Sequence, residues 1–153
     1  MNPFDELTQE FVSDHRKMTR GYRDVKAAVE AGDFLLAKRL VEELDHHCGP
    51  HIEFEERFFY PVVRQRQGSD YAEKLTLEHD AVLAAIREIL AAENMSGSQR
   101  ADWISKMDEG LSHAATCGTL LSHLTTLSDS DQRSLLKKLK ELRDNGHRWT
   151  ELK

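Results

Sequence analysis

Apolar side chains recur along most of the chain at alternating spacings of three and four residues, which is the repeat of an amphipathic α-helix. Four long stretches show this repeat, each with one apolar stripe and charged residues on the remaining positions. Short segments rich in Gly, Ser and Asp separate them at residues 31–33, 68–69, 95–98 and 128–131. A shorter stripe follows the last break. The pattern therefore predicts four long helices and a fifth, shorter one.

Helices of this length joined by short turns favour an all-α, antiparallel up-down-up-down four-helix bundle with an additional C-terminal helix. We expect a single domain over residues 1–153, with the bundle at about 4–127 and the last helix at about 129–144. Only three prolines and eight glycines interrupt the chain, in keeping with long helices. The pair Gly49-Pro50 falls inside the second helix, where we expect a kink.

Each of the four long helices carries one histidine on its apolar stripe: His15, His51, His79 and His113. We counted the residues from each histidine to the helix end that lies on one common side of the predicted bundle. At a rise of about 1.5 Å per residue, these counts place the four imidazoles within about 5 Å of one level along the bundle axis. Glu55 lies four residues after His51, hence one turn further along the same face. The four histidines and Glu55 are thus expected to meet inside the bundle.

A single buried histidine is most often a hydrogen-bonded core residue, but four at one level are harder to accommodate. Burying them unpaired beside a carboxylate would cost on the order of 1–3 kcal/mol per group. A bound metal ion pairs all of them and removes that cost. Imidazole and carboxylate ligands in a helical bundle favour iron, with zinc and manganese as alternatives.

The same residues resemble a known family. The stretch HIEFEERFFYP, from His51 to Pro61, is similar to the HxxxEE…YP signature of hemerythrin-like (HHE cation-binding) domains. Glu78-His79 resembles the EH pair on that family's third helix, and His15 resembles its first-helix ligand. The resemblance implies a non-haem iron site, usually with two irons, which oxygen, nitric oxide or peroxide can reach.

One position departs from the family pattern. A second HxxxE motif would begin at His113, but Cys117 stands where its glutamate is expected. Four arrangements remain open: a di-iron site with one carboxylate bridge and a solvent bridge, a mononuclear site, thiolate ligation by Cys117, or a vestigial site. Glu109, one turn before His113, is a candidate substitute carboxylate, and Cys117 is otherwise a small buried apolar residue.

Charge and composition limit the kinds of partner that the protein is expected to bind. The net charge is −6, with Lys and Arg interleaved among acidic residues, which argues against nucleic acid. No apolar run approaches the roughly 20 residues that span a bilayer, and the two cysteines form no CxxC pair, so we expect a cytoplasmic protein. We expect His46 and His47 to be partly solvated or to support a ligand imidazole, and His123 and His147 to lie on the surface. Glu53 and Glu56 are expected to be solvated. Tyr22 and Tyr60 are expected to fill the core, with hydrogen bonding near the site as the alternative.

Three functions are compatible with these observations. The first is an iron protein that binds or senses a small diatomic ligand, oxygen or nitric oxide. The second is an enzyme that removes peroxide or nitric oxide, or a protein that donates iron for iron-sulfur repair. The third is a metal-free helical interaction module with a degenerate site. The sequence identifies no general acid or base, and it leaves the protein partner open.

Overall fold

The computed structural model describes residues 1–153 and contains helices and no strands. Six α-helices follow one another along the chain: α1 (Pro3–Glu30), α2 (Phe34–Phe54), α3 (Tyr60–Gln67), α4 (Ser69–Ala91), α5 (Gly97–Thr119) and α6 (Asp129–Asn145). A π-helical segment, Glu55–Phe59, joins α2 to α3 without a break. Two 3₁₀ segments, Leu120–Thr126 and Trp149–Glu151, follow α5 and α6. The second predicted helix is therefore α2, the π segment and α3 together.

The long helices pack as a four-helix bundle. Helix α1 contacts α2 and α5, and α4 contacts the same two helices from the other side. Short connections reverse the chain direction at each step, so neighbouring helices are antiparallel. Helix α6 lies outside the bundle against α1 and α2. The predicted all-α bundle with an additional C-terminal helix is confirmed.

Two separate clusters of buried apolar residues fill the interior of the bundle. On α1, Phe11 belongs to one cluster and Met18 to the other, and His15 lies between them. On α4, His79 lies in the same way between Leu75 and Val82. The stripe histidines thus form a polar layer, and apolar side chains close that layer off towards both ends of the bundle.

The surface of the molecule is predominantly polar. Met1, Leu35 and Leu77 are the large apolar side chains that remain exposed. None of the helices combines the length and the apolar character needed to cross a lipid bilayer. The assignment of the whole chain to one domain stays a prediction.

The irregular part of the second helix lies later than the sequence indicated. Helix α2 continues as an α-helix through Pro50, and the change in hydrogen bonding comes at the π segment. There the Tyr60 N–H donates to the Glu55 carbonyl, five residues earlier. The wider turn brings residues five apart onto one face, so Glu55 and Tyr60 both point into the core.

The segment after α6 folds back onto α2. The Thr150 N–H and hydroxyl both donate to the Asp45 carboxylate, at 2.8 Å each. Trp149 is fully buried in the core cluster. At Gly49 the backbone of the segment comes so close that an added Cβ would lie 1.8 Å from the His147 carbonyl oxygen. Glycine at position 49 is thus required for this approach.

Replacing Gly49 with Ala should lower the free energy of unfolding by about 1–3 kcal/mol, because the methyl group has no room beside the His147 backbone. Denaturant titration followed by circular dichroism measures the change. Gly118→Ala is the matched control, since Gly118 is also helical and a Cβ there meets nothing within 4 Å. It should keep wild-type stability or gain up to about 1 kcal/mol. Unchanged stability in Gly49→Ala would contradict the packing of this segment on α2.

Candidate metal centre

The polar layer of the bundle brings together all five residues that the sequence analysis proposed as principal metal ligands. Every one is buried, with an exposed fraction of 9% or less. They come from five successive or neighbouring helical elements: His15 from α1, His51 from α2, Glu55 from the start of the π segment, His79 from α4 and His113 from α5.

The Glu55 carboxylate lies at the middle of this group. His51 Nε2 and His79 Nε2 lie 3.4 Å and 3.6 Å from its Oε1 atom, and His15 Nε2 lies 3.9 Å from Oε2. Two sets of ligand atoms are each close enough to hold one ion, His15 with His51 and Glu55, and Glu55 with His79 and His113. Because Glu55 belongs to both sets, the layer consists of two adjacent triads with a shared carboxylate.

Three of the four imidazoles are oriented by carboxylates outside the layer. A carboxylate only accepts hydrogen bonds at neutral pH, so the facing Nδ1 atom carries the proton and the Nε2 lone pair points inward. The pairs, with their nitrogen to oxygen distances, are His51 with Asp14 (3.1 Å), His79 with Glu56 (2.8 Å) and His113 with Glu78 (3.1 Å). These three histidines are therefore in the tautomer that binds a metal through Nε2.

These supporting carboxylates follow a simple rule in the sequence. Asp14, Glu56 and Glu78 are each adjacent in the chain to one residue of the layer, yet each contacts a histidine on another helical element. The sequence analysis placed Glu56 on a solvated face, and that prediction is wrong. The acidic residue next to each candidate ligand was the signal that could have identified all three.

Charges around the layer keep its carboxylates ionised. Burial raises the pKa of Asp14, but hydrogen bonds from His51 and Arg143 outweigh that effect and lower it overall. Burial would likewise raise the pKa of Glu55, and the surrounding imidazoles hold it well below its usual range instead. The centre of the bundle therefore carries negative charge that a cation can neutralise.

The imidazoles of His79 and His113 have pKa values that are shifted in opposite directions. Burial lowers the pKa of His79, but Glu55 and Glu56 raise it more strongly, so the net shift is upward. The pKa of His113 is lowered, first by burial and then by the neighbouring His79. Binding of a metal ion at Nε2 would compete with protonation of His79.

The layer also contains buried polar atoms without a hydrogen-bond partner: His15 Nε2, His51 Nε2 and Glu55 Oε1. Each such atom costs on the order of 1–3 kcal/mol if it stays unpaired. All three belong to the triad of His15, His51 and Glu55, and all three are metal-ligating atoms. Nitrogen and carboxylate oxygen donors fit iron, zinc or manganese, and a cation among them satisfies every orphaned atom.

Two further side chains reach into the other triad. The Cys117 sulfur is fully buried and lies 3.2 Å from His113 Nε2, and burial raises the pKa of its thiol. The Tyr60 hydroxyl lies 3.0 Å from His113 Nε2 and 3.1 Å from His79 Nε2. The sequence analysis favoured core packing over hydrogen bonding near the site for Tyr60, whereas its hydroxyl belongs to the polar layer.

Glu109 does not join the layer as a substitute carboxylate. Its side chain is about half exposed and lies 3.3 Å from the Lys106 ammonium group. Next to Glu109 along α5, the Tyr22 ring fills the core and packs closely against Gly110. Of the remaining histidines, three are exposed and one is partly exposed, as expected: His46, His47, His147 and His123.

A polar cleft of about 250 Å³ lies immediately outside the layer. The residues that line it include His51, Asp14, His47, Arg143 and Lys17. The cleft contains no hydrophobic lining residue. Water or a small solute can therefore come close to the His15, His51 and Glu55 triad from this side.

Comparison with known proteins identifies a family for the chain. The family model for the hemerythrin HHE cation binding domain matches residues 6–144, which is nearly the whole chain. No curated protein and no solved structure matches the sequence. The segment that folds back over α2, after residue 144, lies outside the family match.

Neither cysteine should react with a thiol reagent in the native protein, because both sulfur atoms are fully buried and burial raises the pKa of both thiols. Titration with a chromogenic disulfide at pH 8 is expected to detect no thiol in native protein. After unfolding in guanidinium chloride the same reagent should detect both Cys48 and Cys117. Rapid labelling of the native protein would contradict the burial of these side chains.

Proposed function

The chain belongs to the hemerythrin HHE cation-binding family, and on that premise we propose that it holds two iron ions and binds a small diatomic ligand, oxygen or nitric oxide. The observation that carries the proposal is the position of Glu55 between two pairs of histidines, His15 with His51 and His79 with His113. A carboxylate shared in this way suits a bridge between two cations. Zinc and manganese are the alternative metals for the same donor set.

Each residue of the centre has a distinct part in this proposal. His15 and His51 would hold one ion, His79 and His113 the other, and Glu55 both. When bound, ferrous iron supplies the electrons that allow oxygen or nitric oxide to bind reversibly. Because these five side chains cannot fill the coordination of two six-coordinate ions, positions remain for a small ligand.

The surroundings of the centre act on the imidazoles and on water. Asp14, Glu56 and Glu78 hold the Nδ1 protons and fix the direction of each Nε2 atom. The two apolar clusters exclude bulk water from both ends of the layer. The adjoining polar cleft is of a size that suits water and diatomic molecules. These features support binding of a small ligand.

The orphaned atoms also argue against the metal-free interaction module. A bundle without a metal function would gain stability by replacing His15, His51 and Glu55 with apolar residues, since their inward atoms lack partners. Both cysteines are free thiols, which fits the cytoplasm as the proposed location. The same centre is compatible with a carrier, a sensor or a scavenging enzyme.

Anaerobic loading with ferrous iron should give two iron ions per chain and raise thermal stability. At a free-metal concentration 100 times the dissociation constant, the gain in unfolding free energy is about 2.7 kcal/mol. Glu55→Gln should lose the bridge and bind fewer than two ions with little stabilisation. Glu53→Gln is the matched control, because Glu53 is also buried but pairs with Arg57 and His147. Elemental analysis and calorimetry measure both quantities.

Iron-loaded protein should also show near-ultraviolet charge-transfer absorption that changes when azide or nitric oxide is added. Wild-type protein that stays iron-free after loading would contradict the metal site. If the spectrum of iron-loaded protein does not change with either ligand, the ligand-binding function is contradicted but the metal site is not.

A further inference from the structure

The hydroxyl group of Tyr60 is surrounded by atoms of the metal centre. The side chain is buried, and its oxygen lies 3.0 Å and 3.1 Å from the Nε2 atoms of His113 and His79. The Cys117 sulfur is 3.2 Å away, and the nearer carboxylate oxygen of Glu55 is 3.4 Å away. All four neighbours are atoms that commonly ligate metal ions.

Hydrogen bonding alone does not account for this environment. The Nδ1 protons of His79 and His113 face Glu56 and Glu78, so both Nε2 atoms present lone pairs to Tyr60. The Glu55 carboxylate is a further acceptor. A phenol has one proton to donate, and the Cys117 thiol can donate one more to His113, so at least one of these three acceptors is left without a donor.

The distances fit ligands that share one ion. Two nitrogen or oxygen ligands, each about 2.1 Å from an ion, are separated by about 3.0 Å in octahedral and about 3.4 Å in tetrahedral coordination. The contacts of the Tyr60 oxygen with His113, His79 and Glu55 span 3.0 to 3.4 Å. The Tyr60 oxygen therefore lies where a further ligand of an ion held by His79 and His113 would lie.

Local structure explains why a tyrosine can reach this position. The π segment places Tyr60 on the same face as Glu55, and the ring of Tyr60 stacks on the imidazole of His79 with ring centres 5.5 Å apart. Cys117 has a shorter side chain than the glutamate expected at its position. The space that a second bridging carboxylate would fill is thus available to the phenol oxygen.

We propose that Tyr60 is a metal ligand, and that its phenolate completes the site formed by Glu55, His79 and His113. The inference rests on the proposed function, since it requires a bound metal. Coordination forms a metal–oxygen bond, breaks the phenol O–H bond and releases one proton to solvent. The oxidation state of the metal does not change.

The test uses full-length protein loaded with ferrous iron without oxygen and then oxidised to the ferric state. A coordinated phenolate gives a visible charge-transfer band, and resonance Raman excitation in that band enhances the vibrations of the tyrosine ring. Tyr60→Phe should abolish the band and these vibrations completely. Tyr22→Phe is the matched control, because Tyr22 is equally buried but packs against Gly110, and it should retain both signals.

Cys117→Ser separates the two kinds of ligand that could produce a visible band. Retention of the band and of the tyrosine vibrations in this variant supports Tyr60, whereas loss of the band only in this variant identifies a thiolate and overturns the proposal. Signals that survive in Tyr60→Phe, or that disappear in Tyr22→Phe, overturn it as well.

The outcomes also distinguish this inference from the proposed function. Wild-type protein that binds iron but shows no tyrosine vibrations overturns the role of Tyr60 alone. Wild-type protein that binds no iron overturns both. If Tyr60→Phe does not fold, the resonance Raman spectrum of the wild-type protein still decides, because it detects the coordinated phenolate without any substitution.

Discussion

Glu55 places a negative charge in the middle of four helices, where its side chain has almost no exposed surface and no Lys or Arg within 4 Å. Its neighbours are imidazole nitrogens, three of which are set by outer carboxylates to present lone pairs. A carboxylate facing lone pairs is unfavourable unless a proton or a metal cation lies between them. The other polar contacts of the structure position the side chains that surround this central cation site.

The supporting features extend to the end of the chain. Arg143 of α6 donates to Asp14, so the helix outside the bundle helps to hold the partner of His51. Lys153 lies 2.9 Å from Glu56, the partner of His79. Trp149 meets the His79 ring edge-on at 6.1 Å. The C-terminal segment beyond the family match therefore contacts the same imidazole that the π segment and α4 position.

Helical periodicity was sufficient to predict the principal ligands. The 3.6-residue repeat fixes which residues face the core, and it placed four histidines from four helices in one layer, with Glu55 one turn after His51. That reasoning uses only the direction in which a residue points from its own helix. The four histidines and Glu55 all lie on the apolar stripes, and the structure brings these five side chains together.

Other residues depend on features that periodicity does not contain. Tyr60 faces the core because the π segment adds a residue to one turn, which changes the register after Glu55. Glu56 contacts His79 on a different helix. That contact depends on how the two helices are rotated relative to each other, which the repeat within one helix does not determine. Glu109 satisfied the spacing rule, but the contact of Tyr22 with Gly110 closes the core at its level. Trp149 lies in a segment too short to show any repeat.

The most direct test of a shared central carboxylate is anomalous diffraction from crystals of the iron-loaded protein, recorded at the iron absorption edge. The account predicts two peaks inside the bundle, about 3.5–4 Å apart, one on each side of the Glu55 carboxylate. A map with no peak in the polar layer, or with a single peak that Glu55 does not contact, would contradict it.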